Sequence, residues 1–149
     1  MQAARILPDL QCSLLCDDVR QQTDGNFIII GVLNAIVVPR VPVVAFRLCA
    51  FNRWTAGVGM FNESMRLMAP DQTTVMGKSE RKFELKDPAG NFTTVTAFTQ
   101  VEFKVAGIYF IEVLVDDVMK LRYPLPLIVV PQNQQGQPQQ GQQPLPPKS

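Results

Sequence analysis

Apolar and polar positions alternate with a period of two along most of this chain, and nowhere do ten or more residues repeat at helical spacing with a cap. A period of two is the pattern of half-buried strands. Leu10, Cys12, Leu14 and Cys16 alternate with Gln11, Ser13 and Leu15, and Asp17-Asp18 is expected to end that strand. Val19 to Thr23 predicts at most one short turn of helix, and Asp24-Gly25-Asn26 a chain reversal. The β-branched run Phe27 to Val32 reads as a central strand buried on both faces, with Gly31 marking a bulge or a close backbone approach.

Pro39 and Pro42 then take the chain out of a sheet and back. Val44, Phe46, Leu48 and Ala50 share one face against Arg47 and Cys49, while Arg53-Trp54 falls in a loop before Gly57. Phe61, Met65 and Leu67 share a face, and Pro70-Asp71-Gln72 is a tight turn. Gly77 to Leu85 is highly charged and takes no assignment. Asp87-Pro88-Ala89-Gly90-Asn91 is the strongest turn, followed by a strand-like Phe92 to Lys104 rich in Thr, Val and Phe. Ile108 to Val115 and Leu121 to Val130 form a hairpin around Asp116-Asp117. Pro124 and Pro126 make its second strand an edge or a bulged strand. About 7–8 strands at short intervals predict an all-β antiparallel β-sandwich, with a barrel as the alternative. Residues 1–9 are a lead-in, 10–130 the domain, and 131–149 a Gln/Pro-rich tail expected to be disordered.

Leu15-Cys16-Asp17-Asp18-Val19-Arg20, Ile30-Gly31-Val32 with Pro39 downstream, and the hairpin from Gly107-Ile108-Tyr109-Phe110 through Asp116 to Pro124-Leu125 occur in a definite order. Together they resemble a family of uncharacterised bacterial proteins known only as a domain of unknown function. The resemblance spans Pro8 to Val130 and excludes the tail. It implies an immunoglobulin-like or related sandwich and brings no activity, cofactor or partner. Asp117 stands where a glycine would suit the last hairpin, so that turn is expected to exceed two residues.

Composition narrows the function. Charged residues make up 18% of the 149, below the ~25% of a typical domain. The net charge of +1 comes from scattered basic residues, which argues against nucleic-acid binding. The longest apolar run, Phe27 to Val38, is well short of the ~20 residues of a membrane-spanning helix. Cys12 and Cys16, about 13 Å apart along a strand, are too far apart to bridge. Either reaches Cys49, but an odd count of three favours free thiols in a reducing compartment. With no apolar leader at residues 1–9, a cytoplasmic protein is expected. The chain has no histidine, the usual general base near neutral pH and the commonest metal ligand. No catalytic residues and no cofactor are therefore expected.

Two constellations remain as candidate sites. If the strands run simply up and down, Asp17, Asp18, Asp24, Asp87, Asp116 and Asp117 collect at one end of the sandwich. Clustered carboxylates suit calcium, which takes six to eight oxygens; the alternative is that Asp favours turns through its own backbone bonds. Arg53 and Trp54 form a cation–aromatic pair able to anchor a partner, unless Trp54 caps the core. Met60, Met65, Met68 and Met76 read as core filler or an adaptable surface, and Tyr109 as the structural tyrosine of an immunoglobulin-like corner. Pro144-Leu145-Pro146-Pro147-Lys148 has the form of a polyproline docking peptide. The preferred expectation is a non-catalytic protein-binding or structural module. It would engage an unknown protein or a second copy through an edge, either the last strand or Phe92 to Lys104. The competing expectation is a calcium- or small-ligand-binding sensor using Asp17, Asp18, Asp116 and Asp117.

Overall fold

In the computed structural model, residues 5–132 are described. The alternation is realised as nine strands among them: β1 (Asp9–Gln21), β2 (Phe27–Val32), β3 (Ile36–Val38), β4 (Val43–Thr55), β5 (Gly59–Met68), β6 (Val75–Leu85), β7 (Asn91–Phe103), β8 (Gly107–Val115) and β9 (Val118–Val129). They form two sheets, β2-β1-β4-β7 (sheet I) and β3-β9-β8-β5-β6 (sheet II). Every pairing is antiparallel except β3 with β9, which is parallel. The β-sandwich expectation holds. The tail from 133 onward, with its Pro-x-x-Pro, lies outside the described residues.

The core fills the space between the sheets. Leu48, Ala50 and Trp54 of β4 face Phe61, Met65 and Leu67 of β5 and Tyr109, Ile111, Val113 and Val115 of β8. Trp54, Phe83 and Phe92 stack in sequence with ring centroids 5.5 Å apart, and Phe61 leans on Phe83 at 5.7 Å. Such aromatic pairs add roughly 0.5–1.5 kcal/mol each beyond the area they bury. At the other end Phe103 meets Tyr109 edge-on at 4.9 Å, and the Tyr109 hydroxyl donates to the Val105 carbonyl at 2.6 Å. A tyrosine at the start of a strand bonding back to the preceding corner is the geometry of a tyrosine corner.

Four local expectations are corrected. β1 does not stop at Asp17-Asp18 but runs on to Gln21, and Gln21 pairs with Phe27, so no helical turn forms. Phe27–Val32 is not a central strand; it is the outermost strand of sheet I. Phe46 and Leu48 do not share a face: the β4–β7 ladder pairs Ala45 with Val101 and Arg47 with Thr99 but skips the pair between them, where Gln100 is left-handed (φ 56°). That irregularity reverses the alternation and turns Val44 and Phe46 outward. Asp116 and Asp117 close a two-residue turn, both left-handed (φ 46° and 67°), with Val115 paired to Val118. Asp116 is held there because its backbone N–H and its carboxylate both engage Asn62. The unassigned Gly77 to Leu85 belongs to β6. Pro124 and Pro126 lie where β9 has β8 on one side only, since β3 covers just Leu127 to Val129.

Candidate binding surfaces

The acidic residues do not converge. Asp116-Asp117 stands at the end of the sandwich where β5 begins, and the Asp87 turn is at that same end, since Gly59 pairs with Leu85 and Thr55 with Asn91. Asp24 sits in the β1–β2 turn at the far end of β1, with its carboxylate accepting from Asn26 N–H at 2.9 Å. Asp17 and Asp18 lie inside β1, and Asp18 is about 30 Å of strand away from Asp9. The strands do alternate in direction, but β3 adds one more strand between the β1–β2 turn and the later turns, and this sets Asp24 apart from Asp87, Asp116 and Asp117. Arg20 donates to Asp18 at 3.2 Å and so does Arg47, which holds the Asp18 carboxyl below its usual range. Burial opposes ionisation of Asp116, but the Asn62 N–H and the Arg5 guanidinium outweigh it and its pKa is lowered. The Asp17 carboxylate lies over Gly31, and Asp117 is exposed at its turn. Among the described residues no group of three His, Cys, Asp or Glu side chains is placed to hold a metal ion.

Arg53 and Trp54 are separated by the pleat of β4 rather than presented together on a loop. Trp54 points into the core, fully buried, so it offers nothing to a partner. Arg53 points outward, where its Nε donates to Thr93 Oγ1 at 3.1 Å and its guanidinium lies 5.9 Å from the Phe51 ring.

The Trp54 indole instead completes a polar bridge between the sheets. Glu63 of β5, 1% exposed, accepts at Oε2 from Asn52 Nδ2 (2.8 Å), Trp54 Nε1 (2.9 Å) and Thr94 Oγ1 (2.8 Å), all three from sheet I. Glu63 Oε1 and Asn52 Oδ1 are buried and accept no protein hydrogen bond. Three donors on one oxygen fix the two sheets against each other in rotation and register. The signal for this residue was in the alternation, because Glu63 has the parity of Phe61, Met65 and Leu67.

On the outer face of sheet II a second polar row crosses four strands, with Lys78, Arg66, Glu112 and Arg122 as successive pairing partners. Glu112 accepts from Arg66 at 2.8 Å and pairs with Arg122 at 3.4 Å, and the Arg122 guanidinium lies 4.0 Å over Phe110. On sheet I, Cys16 and Cys49 are directly opposed across β1 and β4, both buried and both free, and burial raises both thiol pKa values. Phe51 beside them is also buried, and the ring of Phe27 lies 5.7 Å from it. Phe51 pairs with Leu14 but Phe27 pairs with Gln21, so that contact requires the β1–β2 hairpin to fold back over the outer face of sheet I. The bend falls at Gly31 (φ 68°), where the ladder skips its pairing with Asp17.

Three surfaces remain open. Between the edges of β6 and β7 runs a groove of about 450 Å³ with Phe98 at Gly77 and with Lys78 and Glu102 on its walls. Phe46, 75% exposed, stands with Val44 on the outer face of sheet I. Along β2, Ile28, Ile30 and Val32 are 43%, 39% and 51% exposed. A family model described as a family of unknown function matches residues 11–128, most of the chain and nearly all of the sandwich. The chain belongs to that family, DUF6941. No curated protein matches it. The DUF6941 match begins within β1 and ends within β9, so it takes in the inter-sheet bridge, the β6–β7 groove and the β2 edge alike.

Proposed function

We propose that this DUF6941 member is a non-catalytic module, immunoglobulin-like in build, that binds another polypeptide through exposed strand surfaces. The observation that carries the reading is Phe46. An aromatic side chain 75% exposed, with Val44 beside it, is an apolar group left at the surface while Glu63, Asn52 and Thr94 are consumed inside. Aromatic side chains are enriched at the cores of protein interfaces. The immunoglobulin-like build is supported by the tyrosine corner and by sheet order: β1, β4 and β7 correspond to strands A, B and E, and β6, β5, β8 and β9 to C′, C, F and G. No helix among the described residues is long and apolar enough to cross a membrane. A cytoplasmic setting is part of the proposal, supported by the opposed free thiols of Cys16 and Cys49.

The test is a photo-crosslinking residue placed at Phe46 in the producing cells, with the exposed Asp24 position as control. A discrete adduct to another polypeptide from position 46, lost on Val44→Asp, is the expected result. Position 46 giving no more adduct than position 24 would overturn the reading.

A further inference from the structure

We infer that a second copy of this chain pairs with β2, joining the β1–β2 hairpins of the two copies strand to strand in a two-fold dimer. The inference rests on the reading of the chain as a polypeptide-binding module but uses a different surface from Phe46. Its basis is a comparison of the sheet edges. An unpaired strand edge invites pairing, and proteins block it with charge, proline, irregularity or cover.

Three edges here are blocked. β6 carries Lys78, Glu80, Arg81, Lys82 and Glu84. β7 is kinked at left-handed Gln100, and Arg81 reaches across from β6 to donate to its Val95 carbonyl at 3.1 Å. At the third, β3 has only three residues, and the stretch of β9 it leaves uncovered contains Lys120, Arg122, Pro124 and Pro126.

Of the four edges, β2 carries the fewest of these devices. Phe-Ile-Ile-Ile-Gly-Val contains no charge and no proline. β1 pairs along one side, and among the described residues no strand pairs along the other. Its one irregularity, left-handed Gly31, comes after Ile30. The exposed side chains Ile28 and Ile30 lie on one face of this strand, ahead of Gly31. Its apolar, uncharged sequence is complementary to itself. A two-fold axis through Ile29 sets Ile28 against Ile30 of the partner subunit and Ile30 against the partner's Ile28, so each apolar side chain meets another. A two-fold interface uses the same patch on both subunits, and this strand meets that condition. Six residues of edge fall short of the ~1,200 Å² of a stable interface. The dimer therefore dissociates on dilution.

Sedimentation velocity of the full chain across a dilution series tests this directly. The expected result is a monomer–dimer equilibrium whose dissociation constant rises more than about tenfold in Ile28→Lys and in Ile30→Lys, where like charges meet across the axis. Both positions are exposed, so each variant should melt close to the parent; a variant that does not is replaced by Ile30→Thr, which keeps the β-branch. Hydrogen exchange at high concentration should protect the alternate amides of Phe27 to Ile30 that face the free edge beyond their protection on dilution. A monomer at every concentration overturns the inference, as does a dimer that both lysine variants leave intact. If the chain is monomeric yet Phe46 still crosslinks to another polypeptide, the self-pairing fails and the binding reading stands.

Discussion

One short strand and three single side chains invert what their composition suggests. Phe27–Val32 is uncharged and almost wholly apolar, yet it lies on the outermost strand of sheet I with three of its side chains well exposed. Asn52, Glu63 and Thr94 are polar, yet they are among the most buried side chains of the molecule. The inversion shows that burial follows position in the sheets, with hydrophobicity acting only as a constraint to be met elsewhere. A polar group can occupy the core when its bonds are made within it. An apolar strand can lie at an edge when the rest of the chain already closes the sandwich.

The comparison breaks first at its buried half. Glu63→Ala would strand the Asn52, Trp54 and Thr94 donors and should lower stability by about 3–5 kcal/mol in urea titration. Glu63→Gln keeps an acceptor of the same shape for the three donors, so it should cost less than half of that. Equal losses in both variants would mean that the carboxylate charge, rather than the bonding pattern, holds the sheets together.

At the hairpin, Gly31→Ala introduces a Cβ into left-handed backbone and against the Asp17 carboxylate, and should cost about 1–2 kcal/mol. Hydrogen exchange should place that loss in 18–30 with the core still protected. Combining it with Asp17→Ala should recover the steric part and leave the backbone part.

A smaller effect is expected at the β5–β6 turn. There Asp71 accepts from the Thr74 hydroxyl at 2.6 Å and from the Thr74 and Thr73 amides at 2.8 Å, which brings its pKa from 3.8 down to about 2. A depressed carboxylate contributes stability above the unfolded pKa and loses it as pH falls through the folded one. Asp71→Ala should therefore lower the melting temperature at pH 6, and the gap from the parent should close as pH falls from about 4 to about 2. A gap that persists at pH 2 would assign the effect to the Thr74 hydroxyl or to packing.

The smallest change is expected at the most exposed aromatic. Phe46→Ser should shift stability by no more than ~0.5 kcal/mol in the same titration. A larger loss would mean that Phe46 packs on the domain and would weaken its role as a contact surface.

Much of the strand pattern was legible because alternation needs only neighbours along the chain. The face of β5, the Asp87 turn and the corner role of Tyr109 all follow from local spacing, whereas on β1 an irregularity between Leu10 and Cys12 turns Leu15 to the inter-sheet core and Leu14 and Cys16 to the outer face. Glu63 was legible too, since it shares the parity of Phe61 and Met65. The candidate sites were less so. Trp54 looked like a loop residue because Gly57 and Gly59 follow it, but β4 continues to Thr55 and buries it. Asp17-Asp18 looked like a strand end because paired acids are costly in most strands. Here Arg20 and Arg47, distant from Asp18 by two and twenty-nine positions, keep it in place.

By itself, the sequence determined an all-β chain with a two-sheet core and turns at Asp24-Gly25, Pro70-Asp71 and Asp87-Pro88, because period-two patterning and turn chemistry act over a few residues. Only the tertiary structure decided that Phe27–Val32 is an edge, that Phe46 faces out and that the acidic residues are dispersed. Those outcomes depend on which strands pair and where a ladder is interrupted. A non-glycine residue in left-handed backbone, such as Gln100, carries no local signal that it will reverse the faces beyond it.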